Sequence, residues 1–333
     1  MRLTLDLQFE IPIWRLFYDP LLINKIPYSF TYNNKIYTNG ITIIQLGHYV
    51  NENLLRNNKK YLNNLTCPNP IICAPNNHIL NLFKKYRPQY ESILSGHNAF
   101  INENIYTINN EEKKYDLIIN SSFTVLKRLE LSENIKNKVY IGYKCSSLKE
   151  FNDCVPKDGY IPNFEDRYRH IDNWKWINNI DIIKLYNQSC IGGIFSKAEG
   201  SCFSSSEYLL CGLPVISTKC SGGREHWYNN NNSIICEPTK ESVEEALLNA
   251  KKKLENKEFN PIDIRNNHII EMNVQRNTLT VKVLEITKKI TMNIPDFHNL
   301  YNSLMYYHSN NGMGGGFCDQ EQFEKEKVAL SII

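Results

Sequence analysis

The residues best suited to chemistry fall in one window, Ile191 to Tyr228, which reads I-G-G-I-F-S-K-A-E-G-S-C-F-S-S-S-E-Y-L-L-C-G-L-P-V-I-S-T-K-C-S-G-G-R-E-H-W-Y. Glu199 and Glu207 stand eight positions apart, with Gly200, Ser201, Cys202, Phe203 and three serines between them. A strand that runs into such a loop and on into a helix sets the helix's first N–H groups, and the positive end of its dipole, beside the loop. That geometry suits a phosphate. Gly200 lets the backbone come close to a ligand, and the serines leave room for it. Acidic side chains near a phosphate are costly unless they accept hydrogen bonds, and sugar and ribose hydroxyls can supply them. Taken alone, Glu199 reads as a solvated loop residue and Glu207 as a first-turn charge favoured by the dipole. The ordered context around them carries the argument.

Cations follow a different apolar run. Lys127 and Arg128 come after Leu117 to Asn120, at the head of a helix expected from Val125 to Glu133, where they read either as anion ligands or as a solvated face. His97, in Ser95-Gly96-His97-Asn98, ends another short strand and reads equally as a ligand contact or a structural histidine. His48, His78 and His226 have no comparable context.

The elements that must position these groups repeat one rhythm of β-branched run, turn and amphipathic stretch. Strands are expected at Ile41–Leu46, Pro70–Cys73, Ser92–Ser95, Leu117–Asn120, Val139–Tyr143, Ile191–Phe195, Val215–Thr218 and Ile234–Cys236. Helices are expected at His48–Tyr61, after Asn76 or Asn77 as far as Tyr86, and at Ile180–Gln188, Ser204–Cys211 and Ser242–Leu254. A long helical stretch follows at Ile262–Ile290, another at Asn299–Tyr307, and a charged helix after the glycine-rich Asn311–Gly316. Cys145–Asn178 shows no clear pattern. Such alternation implies α/β architecture with parallel sheets, doubly wound and present twice. The polar stretch Asn109–Tyr115 marks a boundary, giving domains 1–115 and 116–290 with C-terminal helices 291–333 that could pack back on the first domain.

The chain has 333 residues, 42 % hydrophobic and 22 % charged, enough to build a core and unlike a disordered chain. Lys plus Arg total 38 against 35 Asp plus Glu, a net charge of +3, which leaves no basic footprint for nucleic acid. No apolar run reaches the roughly 18–20 residues of a membrane helix, and Asp6 and Glu10 interrupt any signal-peptide pattern. A soluble cytoplasmic protein is the expectation. The 10 cysteines contain no C-x-x-C pair, so they read as small buried residues in a reducing compartment, with no metal site.

Together these residues resemble a known family. Glu199 to Glu207 matches the E-x7-E motif of the retaining glycosyltransferases of family four, and E-Y-L-L-C-G-L-P-V-I-S-T stands where that family has E-A-M-A-x-G-x-P-V-V-A-S. Ser221 to Glu225 looks like its G-G-x-x-E segment. The resemblance implies a GT-B architecture, two Rossmann-like domains facing a cleft, here with a reduced first domain. It implies a nucleotide-sugar donor held mainly by the second domain. Glu207 would bond the ribose, Glu199 the donor sugar, and the amides of Gly200, Ser201, Cys202 and Phe203 would line sugar and diphosphate. Lys127 would meet the diphosphate, with Arg128 substituting for a family arginine in a loop that here reads Asn120-Ser121-Ser122-Phe123. His97 would face the donor.

The implied reaction retains configuration without a protein nucleophile. No D-x-D motif calls for a metal, and no cofactor is expected beyond the donor itself. The acceptor is unread, whether glycan, protein or lipid, and so is the donor base, whose pocket would fall in Cys145–Asn178. The alternatives are a nucleotide-sugar-binding protein without transferase activity and another carbohydrate enzyme on this fold, a phosphorylase or an epimerase.

Overall fold

The computed structural model describes residues 3–6, 13–18, 30–32, 35–37, 40–46, 50, 52–57, 67–143 and 179–309. The chain divides into two units, one made of residues up to Ile101 together with those from Met272 onward, the other of Asn102–Glu271.

The first unit is built on a five-stranded sheet in the order β1-β2-β5-β6-β7. Its strands are β1 (Leu3–Asp6), β2 (Ile13–Tyr18), β5 (Ile41–Leu46), β6 (Pro70–Ala74) and β7 (Glu91–Leu94). Only β1 is antiparallel to its neighbour. A separate hairpin joins β3 (Phe30–Tyr32) to β4 (Lys35–Tyr37). Every residue of β5 is buried, the polar Thr42 and Gln45 included, as befits a strand inside a parallel sheet. Helices α1 (Glu52–Asn57) and α2 (Asn77–Tyr86) follow β5 and β6. The Asn76 side chain accepts the Ile79 N–H at 2.8 Å, capping α2 where the sequence places its start. Ile44, Leu46, Ile72, Ala74, Ile79 and Phe83 pack into one buried cluster.

The second unit holds β8 (Tyr115–Ser122), β9 (Lys138–Tyr143), β10 (Ser189–Ile194), β12 (Val215–Thr218) and β14 (Ser233–Cys236), all parallel, in the order β14-β12-β10-β8-β9. Two-residue strands β11 (Ala198–Glu199) and β13 (Ser221–Gly222) pair beyond its edge. Counted within the unit, the order is 5-4-3-1-2, so the winding reverses between β8 and β10. Ligands bind at such a switch point, outside the carboxyl ends of the strands. Helices α3 (Asn179–Asn187), α4 (Phe203–Leu210) and α5 (Lys240–Glu255) connect the strands. The bare Cα of Gly192 lets the Tyr208 ring of α4 lie against β10, since a side chain there would overlap the ring.

The long helix α6 (Pro261–Ile290) starts in the second unit and ends in the first, followed by α7 (Phe297–Ser309). Within the first unit, Gly96 N–H donates to Gln275 Oε1 at 2.6 Å. The Arg276 guanidinium donates to the carbonyls of Ala99 and Ile101 at 2.5 and 2.9 Å.

These bonds account for the main departures from the sequence reading. The units change at Ile101–Asn102 and return at Glu271–Met272, not at 115 and 290. Residues 102–115 belong to the second unit because Arg265 binds the carbonyls of Glu103 and Tyr106, and Asn187 binds Asn109. Since it also owns the end of α6 and α7, the first unit is larger than its N-terminal segment alone. The helix expected at Val125–Glu133 is instead two 3-10 turns, Val125–Lys127 and Leu129–Ser132, broken by Arg128 at φ 50°. The segment Cys145–Asn178 and the charged helix expected near the C-terminus lie outside the described residues. Among the described residues no helix is long and apolar enough to cross a membrane.

Candidate functional site

The carboxyl ends of β8, β10 and β12 gather most of the residues singled out from sequence. Glu199 follows β10 and forms an ion pair with Lys127, whose turn follows β8. Their side chains are only 14 % and 17 % exposed, so water screens the pair weakly. The same carboxylate oxygen accepts the Ser196 hydroxyl at 2.5 Å. Lys197 N–H donates to Leu126 O at 2.9 Å, tying the two loops together by backbone as well.

The Glu199 loop is splinted from the other side by β13. Gly222 adopts φ +142° and stands against the Glu199 carbonyl, where a Cβ would collide with that oxygen. Gly223 N–H reaches the carbonyls of Glu199 and Gly200 at 3.3 and 3.2 Å. Behind them lies Arg224, fully buried, donating to Thr218 O at 2.7 Å and Ser196 O at 3.3 Å.

Arg128 lies in the same cluster. Its Nε donates to Phe195 O at 2.6 Å and its Nη2 to Thr218 Oγ1 at 2.7 Å. Burial, and then the neighbouring Arg224 guanidinium, lower its pKa from the ordinary arginine value. Neither arginine has a carboxylate at ion-pair distance among the described residues, so with Lys127 and Glu199 neutralising each other the cluster carries excess positive charge.

Helix α4 points its start at this cluster. Ser204 Oγ donates to Asn120 O at 2.8 Å, fixing the first turn against the end of β8. Cys202 occupies the N-cap at φ 45° with no side-chain cap, and burial pushes its thiol up to about 12. Two hydroxyls at this edge, Ser121 Oγ on β8 and Ser201 Oγ before α4, are buried with no hydrogen-bond partner.

Glu207 sits a turn inside α4, not at its first turn, and is 6 % exposed. Tyr106 donates to its Oε1 at 3.0 Å and Tyr186 to its Oε2 at 2.5 Å. Asn120 extends the network, its side chain donating to the Tyr186 hydroxyl at 2.5 Å and its N–H to the Tyr208 hydroxyl at 2.6 Å. Burial raises the Glu207 pKa above the usual carboxylate value, and the two tyrosine hydrogen bonds offset part of that. The carboxylate is therefore held inside the unit and is nearly closed off from solvent.

In the second unit the structure thus brings together Glu199, Gly200, Ser201, Cys202, Phe203, Lys127 and Arg128, with Glu207 just beneath. His97 belongs to the first unit, half-buried at the start of a 3-10 turn after β7. Arg224, Ser121, Ser196 and the tyrosines around Glu207 escaped the sequence reading. Only Arg224 carried a local signal, the Gly-Gly loop beside it. Among the described residues no group of three His, Cys, Asp or Glu side chains could hold a metal ion.

No protein-family model matches the sequence, and no curated protein matches it. Solved structures do match. Anabaena HepE in complex with UDP is 12 % identical over 73 % of this chain and 72 % of that one, with a TM-score of 0.53. An alpha,alpha-trehalose-phosphate synthase (UDP-forming) from Burkholderia vietnamiensis is 10 % identical over 74 % and 69 %, with a TM-score of 0.54. A glycosyltransferase from Rickettsia africae ESF-5 is 16 % identical over 75 % and 71 %, at 0.50. At these identities the likeness is one of fold, and the chain is a Rossmann-like α/β protein of the GT-B type.

Proposed function

We propose that the chain transfers a sugar from a nucleoside-diphosphate donor to an acceptor hydroxyl, with retention of configuration and without a metal ion. The observation that carries this reading is the strand-end cluster at the β8–β10 switch point. There an excess of positive charge, a helix start with no side-chain cap and two unpartnered buried hydroxyls converge on one edge. A buried hydroxyl left without a partner costs roughly 1–3 kcal/mol, and a ligand rich in oxygen would offset that cost at both serines. Among solved structures of similar fold, HepE is in complex with UDP and the Burkholderia synthase is a UDP-forming enzyme, which makes a UDP-sugar the first donor to try.

In this reading the start of α4, with the amides of Gly200, Ser201, Cys202 and Phe203, holds the diphosphate. Lys127 and Arg128 balance the charge that grows on it as the glycosidic bond breaks. Glu199, oriented by Lys127 and Ser196, accepts hydrogen bonds from the donor sugar. A carboxylate offers about four lone-pair sites, and the tyrosines occupy two on Glu207. The remainder would accept ribose hydroxyls, with Tyr106 and Tyr186 fixing the carboxylate. His97 would contact the donor. The acceptor hydroxyl attacks the anomeric carbon on the face the diphosphate leaves. A phosphate oxygen takes its proton as the carbon–phosphate-oxygen bond opens and the new glycosidic bond closes. Catalysis is then positioning and electrostatics, with no protein nucleophile.

The test is a thermal-shift screen against UDP, GDP and ADP and their sugars, followed by turnover of whichever donor binds. Ligand at 100 times its dissociation constant should add roughly 2.7 kcal/mol of stability. Absence of any nucleotide binding would remove the reading. Binding without turnover on any acceptor or water would favour a nucleotide-sugar-binding protein instead.

A further inference from the structure

Among the described residues the largest fully buried side chain is a cation, Arg224. Its guanidinium donates to two backbone carbonyls, Thr218 O at 2.7 Å and Ser196 O at 3.3 Å, while its Nε has no hydrogen-bond partner. No carboxylate of the described residues lies at ion-pair distance from it. Burying an uncompensated charge costs a fold heavily. Hydrogen bonding alone does not call for that charge, because a neutral glutamine amide can donate to carbonyls as well. A second guanidinium adds to the cost. Arg128 donates to Phe195 O at 2.6 Å and lies near enough to feel the Arg224 charge. Like charges that close repel each other, and an anion bound beside both would offset the repulsion.

The place of Arg224 in the unit supplies the second observation. The carbonyls that the two arginines take, Phe195 O, Ser196 O and Thr218 O, lie at the carboxyl ends of β10 and β12. Left bare, their negative ends would disfavour an anion at that edge. The segment around Arg224 also holds the donor-site groups in place. Gly223 N–H binds the carbonyls of Glu199 and Gly200, and the Ser196 hydroxyl binds the Glu199 carboxylate. Tyr228, just after the 3-10 turn Arg224–Trp227, accepts the hydroxyl of Ser205 in the first turn of α4 at 2.7 Å. With 0 % exposure Arg224 touches no ligand, so any effect it has runs through these groups and through its field.

We propose that Arg224 is a positioning residue that gives this strand-end edge its preference for a diphosphate over a monophosphate or an uncharged nucleoside. The proposal rests on the donor reading above and deepens it, assigning the charge selectivity of the site to a residue outside contact range.

The experiment uses the full chain as wild type, Arg224→Gln and Arg224→Lys, each melted and then titrated with UDP, UMP and uridine. Glutamine keeps a donor for the carbonyls and loses the charge, whereas lysine keeps the charge and loses the planar fork. A field acts in proportion to ligand charge, so Arg224→Gln should lose about tenfold or more in UDP affinity, less for UMP, and stay within about twofold for uridine. Arg224→Lys should hold UDP affinity within about threefold of wild type. Equal losses on all three ligands would overturn the proposal, because a purely structural staple would act that way. A lysine variant no better than the glutamine one for UDP would overturn it too. Should Arg224→Gln melt too early to titrate, the lysine variant decides: its ratio of UDP to UMP affinity should match wild type, and collapse of that ratio refutes the role. Wild type binding none of the three would remove the donor reading and this proposal with it. Wild type binding UDP no better than Arg224→Gln does would overturn the proposal alone.

Discussion

Replacing Lys127 by Met removes one half of the pair that orients Glu199, and the structure sets the size of the effect. Breaking a fully buried ion pair by deleting one partner costs roughly 3–5 kcal/mol, because the other charge is left without compensation. Here Glu199 is 14 % exposed and keeps the Ser196 hydroxyl at 2.5 Å, so the expected cost is lower, about 2–3 kcal/mol. At roughly 2–4 °C per kcal/mol for a unit of this size, Tm should fall by about 5–10 °C. Glu199→Gln alone leaves Lys127 a neutral acceptor and should cost about 1 kcal/mol. The double variant then decides the matter. If the two side chains act as a pair, the cycle shows a coupling of at least about 1 kcal/mol in denaturant melts. Additivity within about 0.3–0.5 kcal/mol would mean the pair contributes nothing, and the positioning argument for Glu199 would fall with it. Turnover measured well below Tm adds a second reading. Loss of a cation that stabilises the leaving group should cost about 10²–10³ in kcat.

Three further outcomes are expected. Gly222→Ala drives a Cβ into the Glu199 carbonyl, so kcat should fall at least tenfold while UDP affinity changes little; unchanged kcat would show that β13 does not position Glu199. Glu207→Gln should weaken UDP binding about tenfold, as a charge-assisted hydrogen bond of roughly 1.5–3 kcal/mol is lost, and unchanged affinity would end the ribose role. The same variant reports on pH. Because burial raises the folded Glu207 pKa, ionising it costs the folded state more than the unfolded chain, so wild type should lose stability relative to Glu207→Gln as pH climbs above 4.5, and parallel stability curves would contradict that. Chelation with EDTA should leave transfer intact, and abolition with rescue by manganese would show a metal-held diphosphate.

Strands and helices carried strong signals where a β-branched run or a capping side chain marked them, as at Ile41–Leu46 and at the Asn76 cap. The Glu199 window was legible because a loop between a buried strand and a serine-rich helix start is a local pattern. What escaped notice depends on contacts distant in sequence. Arg128 leaves the helical region because Phe195 and Thr218, far along the chain, offer its guanidinium acceptors. The unit boundary moves to Ile101 because Arg265 reaches back to Glu103 and Tyr106. Tyr106 and Tyr186 carry no local sequence signal, and only the folded chain brings their hydroxyls to Glu207.

The central claim is transfer from a nucleotide sugar on the face that the diphosphate leaves. The anomeric proton of the first-formed product, followed by NMR with an α-linked UDP-sugar donor, tests it most directly. Water can stand in as acceptor if spectra are taken before the released sugar mutarotates. The account predicts an α product, formed more slowly but with the same configuration by His97→Ala. A β product would require a base on the opposite face of the sugar and would contradict the mechanism.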